Sequence, residues 1–163
     1  MKKTVRIGIT LGDVNGIGPE VALKAAYGHR WPPRLQLVLI GSETILRKQC
    51  RAYRLPMPSP WTDNPPCPAG TPPKKGISFL FPSSGGVAEG RGGSSNTVVY
   101  WDPTPEEQPA WAPGKIRVSA SRAAAGWIRA AVDACLDGSL DGMVTGPICK
   151  EGFHQAGLRV PGH

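Results

Sequence analysis

The sequence lacks the patterns that mark a disulfide framework or a zinc site. Its four cysteines stand at positions 50, 67, 135 and 149, and no two of them form a Cys-x-x-Cys pair. Its three histidines, at positions 29, 154 and 163, include no His-Glu-x-x-His pair. We therefore expect neither disulfide bonds nor a structural zinc, and no complete set of metal ligands in this stretch.

Long apolar segments are missing as well. Runs such as Val38 to Ile40 are far too short to span a bilayer. The apolar stretch after the basic start is short and is interrupted by Arg6, Gly8, Gly12 and Asp13, unlike a signal peptide. Hydrophobic residues make up 40% of the chain, which favours a packed core over disorder. We expect a cytoplasmic protein without membrane contacts.

Acids are scarce in the first third of the chain. Residues 1–55 contain ten Lys or Arg against three acids, so most of the net charge of +7 arises there. The surplus lies chiefly in Arg30, Arg34, Arg47, Lys48, Arg51 and Arg54. Such a group of cations suits a nucleic acid or a phosphorylated ligand. Because no aromatics are interleaved and no nucleic-acid motif is present, a solvated helix face is favoured and nucleic-acid binding is not expected.

Residues 1–55 alternate between strand and helix patterns. Two short apolar runs predict strands at 5–10 and 35–40, the second buried on both faces. Each is followed by a helix-start signal, Pro19-Glu20 in one case and Ser42 in the other. The predicted helices run from Pro19 to about Gly28 and from Glu43 to about Arg54. This alternation predicts an α/β fold with a largely parallel sheet.

The middle of the chain has a different composition. Residues 56–115 contain thirteen of the eighteen prolines and eight glycines, which predicts an irregular segment with two short strands, at 77–81 and 97–101. Residues 102–114 are predicted to form a solvated connector.

Regular structure returns in residues 116–163. The spacing predicts a helix from Ser119 or Ser121 to about Leu136, followed by a strand at 142–145 and one or two helical turns at 150–155. The predicted apolar face of the long helix consists of Ile128, Val132, Cys135 and Leu136.

Two strand ends are candidate sites, because ligands of open α/β sheets bind outside the carboxyl ends of the strands. After the first strand, three glycines surround a strand-to-helix turn, and Asp13 and Asn15 add a carboxylate and an amide. The glycine spacing matches neither Gly-x-Gly-x-x-Gly nor a Gly-Lys-Ser/Thr loop. Local physics alone favours a tight turn with a capped helix over an anion site.

The second strand end is the segment from Thr145 to Lys150. A lysine just beyond a strand is placed to bind phosphate or carboxylate, although most loop lysines are simply solvated. Cys149 fits a small filler better than a nucleophile, because no histidine stands at an activating spacing. His154 is expected on a helix surface.

Taken together, these segments resemble the 4-hydroxythreonine-4-phosphate dehydrogenase family. Residues 9–20 are similar to its N-terminal Gly-Asp-Pro-Ala-Gly-Ile-Gly-Pro-Glu signature, with Val14-Asn15 in place of Pro-Ala. Residues 144–150 resemble its Thr-(Gly/Ala)-Pro-Ile-x-Lys motif, and residues 156–163 resemble the approach to Gly-His-Thr-Glu. Members are about twice this length, so the resemblance covers their N-terminal half.

The resemblance implies part of an isocitrate/isopropylmalate dehydrogenase-like lobe, with an active site completed across a homodimer. The family reaction is the NAD-dependent oxidation of 4-phosphohydroxy-L-threonine, with decarboxylation to 3-amino-2-oxopropyl phosphate, in pyridoxal phosphate biosynthesis. A divalent metal (zinc, magnesium or cobalt) assists it, bound by histidines of later family segments.

Carried over residue by residue, the resemblance assigns substrate binding first to His163, then to Lys150, Thr145 and Asp13. It implies that this chain alone is not a competent dehydrogenase. Two alternatives stay open. One is a dehydrogenase of the same superfamily that acts on threonate or erythronate 4-phosphate, and the other is a non-catalytic remnant.

Overall fold

The computed structural model describes residues 4–62 and 97–158. Within these ranges the strands are β1 (Val5–Thr10), β2 (Leu35–Ile40), β3 (Ser59–Pro60), β4 (Val98–Trp101) and β5 (Gly142–Val144). The helices of the same ranges are α1 (Gly18–Tyr27), α2 (Glu43–Tyr53), α3 (Val118–Leu136) and α4 (Lys150–Gln155).

The strands form one sheet in the order β3-β4-β2-β1-β5, and every pairing is parallel. The predicted α/β class with a largely parallel sheet is therefore confirmed. The central strand β2 pairs with β1 from Val5↔Leu35 to Thr10↔Ile40 and with β4 on its other side. Its last four residues, Leu37 to Ile40, are buried, which explains the continuous apolar run in the sequence.

The connections place helices on both faces of the sheet. The chain moves outward from β1 through β2 to the edge strand β3, then turns back to β4 and continues to β5 on the far side of β1. Because parallel crossovers are almost always right-handed, α1 and α2 lie on one face and α3 lies on the other. In agreement, α1 contacts α2, whereas α3 contacts β1, β5 and α4.

The local start and stop signals act as predicted. Pro19 lies in the first turn of α1, and Gly28 ends that helix. The Ser42 hydroxyl caps α2 by accepting a hydrogen bond from the Ile45 N–H at 3.5 Å. The strand predicted at 97–101 is present as β4, and the one predicted at 77–81 lies outside the described residues. The two-residue strand β3 was not predicted, and its Pro60 is tolerated because β3 is an edge strand.

The predicted apolar face of α3 is wrong. Leu136 is 81% exposed and Val132 is 41% exposed, and Ile128 and Cys135 are only half-buried. The helix instead buries Trp127 and a row of small residues, namely Ala120, Ser121, Ala123, Ala124, Ala130, Ala131 and Ala134. Small side chains let the helix approach its neighbours closely, so packing distance rather than hydrophobicity selects this face.

Neither α3, which has 19 residues, nor any other helix of the described ranges is both long and apolar enough to cross a bilayer.

The buried indole of Trp127 gives a test of the core. Trp127 is fully buried, so Trp127→Ala is expected to lower the free energy of unfolding by about 3–5 kcal/mol. The matched control is Trp111→Ala, because Trp111 is 43% exposed; the Lys48 ammonium lies over its ring, 4.5 Å from the ring centre. Urea unfolding followed by circular dichroism measures both. Equal losses in the two variants would contradict this account of the core.

Candidate functional site

The order of the strands reverses at β1. The chain leaves β1 toward β2 on one side, while β5 lies on the other side. In open parallel sheets a crevice forms outside the carboxyl ends of the strands at such a reversal, and ligands bind there. The relevant segments are residues 11–17 after β1 and residues 145–150 after β5, which we call the β1–β5 rim. Both candidate motifs of the sequence lie in it.

Backbone hydrogen bonds join the two halves of the rim. The Asp13 N–H donates to the Pro147 carbonyl at 2.8 Å. The Gly146 N–H donates to both oxygens of Thr10, the carbonyl at 3.0 Å and the hydroxyl at 3.1 Å. Thr10 is fully buried, so its hydroxyl is committed to this junction. The two motifs, more than 130 positions apart in the sequence, thus form one structural unit.

Two glycines permit this close approach. Gly12 has a φ of +67°, and a side-chain carbon on it would lie 2.8 Å from the Gly146 carbonyl carbon and still closer to the Pro147 oxygen. A side-chain carbon on Gly146 would lie 2.5 Å from the Thr10 carbonyl oxygen and 2.8 Å from the Leu11 carbonyl carbon. Since these neighbours are backbone atoms, they cannot rotate away. Gly12 and Gly146 are needed for shape, as the sequence suggested for Gly12.

Three of the four predicted site residues lie on this rim. Asp13 is half-buried, and its Oδ1 accepts from the Asn15 N–H at 3.0 Å, while its Oδ2 has no hydrogen-bond partner within residues 4–62 and 97–158. Thr145 is half-buried and Lys150, the first residue of α4, is exposed. Neither side chain is paired within the described part of the chain. The fourth, His163, lies outside the described residues.

This arrangement can bind a small polar anion. A free carboxylate oxygen accepts from an ammonium or hydroxyl group, a threonine hydroxyl donates or accepts, and a lysine ammonium donates to phosphate or carboxylate. The neighbouring side chains are structural: the Cys149 Sγ caps α4 by accepting from the Gly152 N–H at 3.4 Å, and His154 is exposed on α4, as predicted.

Asn15 does not belong to the ligand-binding surface, contrary to its interpretation as a polar group of the rim. It is 4% exposed, and its amide faces the connector that precedes α3. Its Nδ2 donates to the Ala110 carbonyl at 3.0 Å, and its Oδ1 accepts from the Ala112 N–H at 2.6 Å. Its backbone carbonyl accepts from the Gly114 N–H at 2.8 Å. Asn15 therefore fastens residues 110–114 behind the rim.

The same connector covers the ends of β2 and β4. The Asp102 carboxylate accepts from the Glu43 N–H at 3.0 Å, and the Ser42 hydroxyl donates to the Gln108 amide oxygen at 2.9 Å. The prediction of a solvated connector holds for residues 105–108, which are exposed, but both ends of the segment are fastened. Within the described residues, the connector makes no hydrogen bond to the side chains of Asp13, Thr145 or Lys150.

The ionisable groups near the carboxyl ends of β2 and β4 make hydrogen bonds within the fold. Burial raises the pKa of Asp102, although the backbone N–H groups of Glu43 and Thr104 partly offset this effect. Burial, together with a hydrogen bond to Glu43, raises the pKa of Tyr100 to about 12. The hydrogen bond from Arg47 lowers the pKa of Glu43. Each of these groups is engaged with another group of the fold.

Comparison with known proteins agrees with both motifs of the rim. The family model described as "Pyridoxal phosphate biosynthetic protein PdxA" matches residues 34–163, which is most of the chain. The chain belongs to the PdxA family. The family match includes the β5 half of the rim, and alignments with curated relatives that cover 96% of the chain extend the similarity over nearly the whole sequence. The family resemblance of the sequence is thus confirmed.

Individual relatives carry two enzyme names. The chain is 28% identical over 158 residues to a D-threonate 4-phosphate dehydrogenase of Bordetella bronchiseptica, covering 96% of this chain and 38% of that protein. It is 32% identical over 157 residues to a 4-hydroxythreonine-4-phosphate dehydrogenase of a Synechococcus species, covering 96% and 37%. The chain therefore spans about two fifths of the length of these curated relatives.

Solved structures confirm the fold. The crystal structure of a 4-hydroxythreonine-4-phosphate dehydrogenase from Klebsiella pneumoniae superposes with a TM-score of 0.63 at 25% identity, covering 98% of this chain and 42% of the other. This chain and the Klebsiella enzyme share the isocitrate dehydrogenase-like fold of the PdxA family, as the sequence resemblance implied.

The glycine contact at the rim predicts a specific sensitivity. Gly146→Ala should lower the free energy of unfolding by about 1–3 kcal/mol, because the new methyl group would press on the backbone of the β1 loop. Gly126→Ala is the matched control, since Gly126 lies within α3 with open space around it; it should raise stability by about 0.5–1 kcal/mol. Chemical unfolding measures both changes. A neutral Gly146→Ala would show that the two loops do not meet as described.

A second prediction concerns Asn15. Asn15→Ala should lower the free energy of unfolding by about 1–2 kcal/mol, because it removes the part-buried hydrogen bonds to the Ala112 N–H and the Ala110 carbonyl. Hydrogen exchange should show faster exchange of the Ala112 and Gly114 amides. Glu106→Ala, on the exposed part of the same connector, should change stability by less than about 0.5 kcal/mol. Unaltered protection of Ala112 in Asn15→Ala would contradict the assignment.

Proposed function

We propose that this chain provides the amino-terminal part of the substrate site of a dehydrogenase that acts on a phosphorylated four-carbon hydroxy acid, 4-phosphohydroxy-L-threonine in the first instance. The observation that carries the proposal is the junction of the two family motifs at one open rim, through the Asp13 to Pro147 and Gly146 to Thr10 hydrogen bonds. Relatives named as dehydrogenases of such phosphates support the substrate class.

The unpaired groups of the rim suit the proposed substrate. Lys150 carries a compact positive charge beside the rim and would donate to a phosphate or carboxylate oxygen. Thr145 would hydrogen-bond a substrate hydroxyl. The free Oδ2 of Asp13 would accept from the amino group of 4-phosphohydroxy-L-threonine in a charge-assisted hydrogen bond. His163 is the remaining substrate-binding residue by family resemblance and stays a prediction.

The resemblance also implies NAD and a divalent metal. Within residues 4–62 and 97–158, no group of three His, Cys, Asp or Glu side chains is placed to hold a metal ion. The described residues thus do not form such a site, and no step is derived through a metal or through NAD. We propose that these groups, and the dimer that completes the site, depend on family segments outside this sequence. The chain alone is then expected to bind substrate without oxidising it.

A second candidate substrate is D-threonate 4-phosphate, because the Bordetella relative is named for it. The two substrates differ at the position of the amino group, where threonate carries a hydroxyl. The Asp13 carboxylate favours the amino compound, since a hydrogen bond to an ammonium group is stronger than one to a hydroxyl. A non-catalytic remnant would keep the rim but show no preference between the two compounds.

Binding and turnover together test the proposal. With both phosphates, NAD and either zinc or magnesium, the 163-residue chain is expected to show no NADH formation by absorbance. Calorimetric titration should show binding of 4-phosphohydroxy-L-threonine, and Lys150→Gln should weaken it at least about tenfold, or about 1.4 kcal/mol. Arg129→Gln, an exposed cation on α3, is the control and should have no effect.

The identity of the substrate is tested at Asp13. Asp13→Asn should weaken binding of 4-phosphohydroxy-L-threonine several-fold more than binding of D-threonate 4-phosphate. The opposite order would favour the threonate enzyme. If Lys150→Gln bound both compounds as well as the unaltered chain does, the rim would not be the substrate site. Metal-dependent NADH formation by the chain alone would show that it is catalytically complete.

A further inference from the structure

A cavity lies at the end of the sheet opposite the β1–β5 rim. It has a volume of about 430 Å³ and lies at the amino ends of β2, β3 and β4, beside the end of α1. We call it the amino-end pocket; its lining includes Tyr27, His29, Arg30, Trp31, Met57 and Ser59. Its volume falls within the range of small-molecule sites. Because a six-residue parallel strand is roughly 16 Å long, this pocket is distinct from the β1–β5 rim.

Several side chains in the pocket wall are apolar and are held in place by the core. Tyr27, Trp31, Met57 and Val98 are partly buried and pack against the hydrophobic core while each contributes to the lining. The Trp31 indole N–H donates to the Ala26 carbonyl at 3.0 Å, which fixes the orientation of the ring. Two rings thus stand in the wall of a cavity before any ligand arrives, an arrangement that favours a flat apolar group.

The mouth of the pocket is positively charged. Arg30 and His29 are exposed there, and His29 packs edge-on against Trp31, with ring centres 5.0 Å apart. No acid is found among the lining residues of the described chain, and the sequence contains none between Glu20 and Glu43. Arg30 forms no ion pair with any residue that the structure describes. An arginine without a partner acid at a ring-lined cavity is suited to a phosphate or carboxylate.

A neutral donor adds to this positive mouth. The Tyr27 hydroxyl has no hydrogen-bond partner within residues 4–62 and 97–158. The phenol carries its proton at neutral pH and can donate to an anion. Burial raises its pKa further, to about 12. The pocket therefore combines ring faces, a guanidinium and a hydroxyl donor, with no carboxylate among the described residues that line it.

We propose that the amino-end pocket binds a small anion that carries a flat ring. The ring rests against Trp31 and the other apolar lining, and the phosphate or carboxylate faces Arg30. This chemistry has two sources, a mononucleotide and an aromatic carboxylate. The pocket takes no part in the proposed dehydrogenase site, so the two proposals stand or fall separately.

The test is a titration of the ¹⁵N-labelled 163-residue chain, followed by the indole N–H signal of Trp31, which Trp31→Phe assigns. AMP and benzoate represent the two sources, and adenosine and inorganic phosphate carry only one of the two features. The ring-bearing anions are expected to shift the Trp31 signal and to bind at least about tenfold more tightly than adenosine or phosphate. Whichever of AMP and benzoate binds better identifies the source.

Arg30→Gln should weaken that binding at least about tenfold, whereas Arg122→Gln, an exposed arginine on α3 without a partner in the described chain, should leave it unchanged. Three results would overturn the proposal: no Trp31 shift with AMP or benzoate at millimolar concentration, equal affinity for AMP and inorganic phosphate, or undiminished binding in Arg30→Gln. The comparison of AMP with adenosine needs no variant, so it remains decisive even if Arg30→Gln folds poorly.

Discussion

The shape of the β1–β5 rim depends on a close contact between the backbones of two glycines. Gly12 and Gly146 meet where β1 and β5 end, at a distance that leaves no room for a side-chain carbon on either residue. The contact brings the Asp13 and Pro147 backbones within hydrogen-bond distance and commits the buried Thr10 hydroxyl to the junction. Asp13, Thr145 and Lys150 lie on one rim as a result. Each of the two family motifs thus contains one of the glycines that make this contact.

Two segments with different roles lie at the carboxyl edge of the sheet: the connector of residues 102–114 and the β1–β5 rim. The connector from Asp102 to Gly114 engages polar groups of Ser42 and Glu43, which follow β2, and the amide of Asn15, which follows β1. Over β1 and β5, the Oδ2 of Asp13 and the side chains of Thr145 and Lys150 have no partner among the residues described. In open parallel sheets, ligands bind in the crevice at a reversal of the strand order. Here the unpaired side chains of Asp13, Thr145 and Lys150 lie at that reversal, beside the connector.

The sequence predicted what local signals determine. The strands β1 and β2, the helix starts at Pro19 and Ser42, and the position of the rim all follow from short patterns of residues. Two features could not be predicted, because distant segments decide them. The buried face of α3 depends on how closely the helix approaches the sheet, which apolar spacing does not encode. The direction of the Asn15 amide depends on Ala110, 95 residues away, so only its polarity and not its partner was visible.

The pairing of β1 with β5 also bears on the order in which the fold assembles. Ile7 and Gly142 pair across 135 positions, whereas β1 and β2 pair after a single helix. Closing the longer loop costs more conformational entropy and gives only a three-residue ladder in return. We therefore expect the β1-α1-β2 unit to form early and β5 to dock late. The rim then forms only when β5 docks. The fraction of chains that can bind a ligand at the rim should therefore equal the fraction that is completely folded.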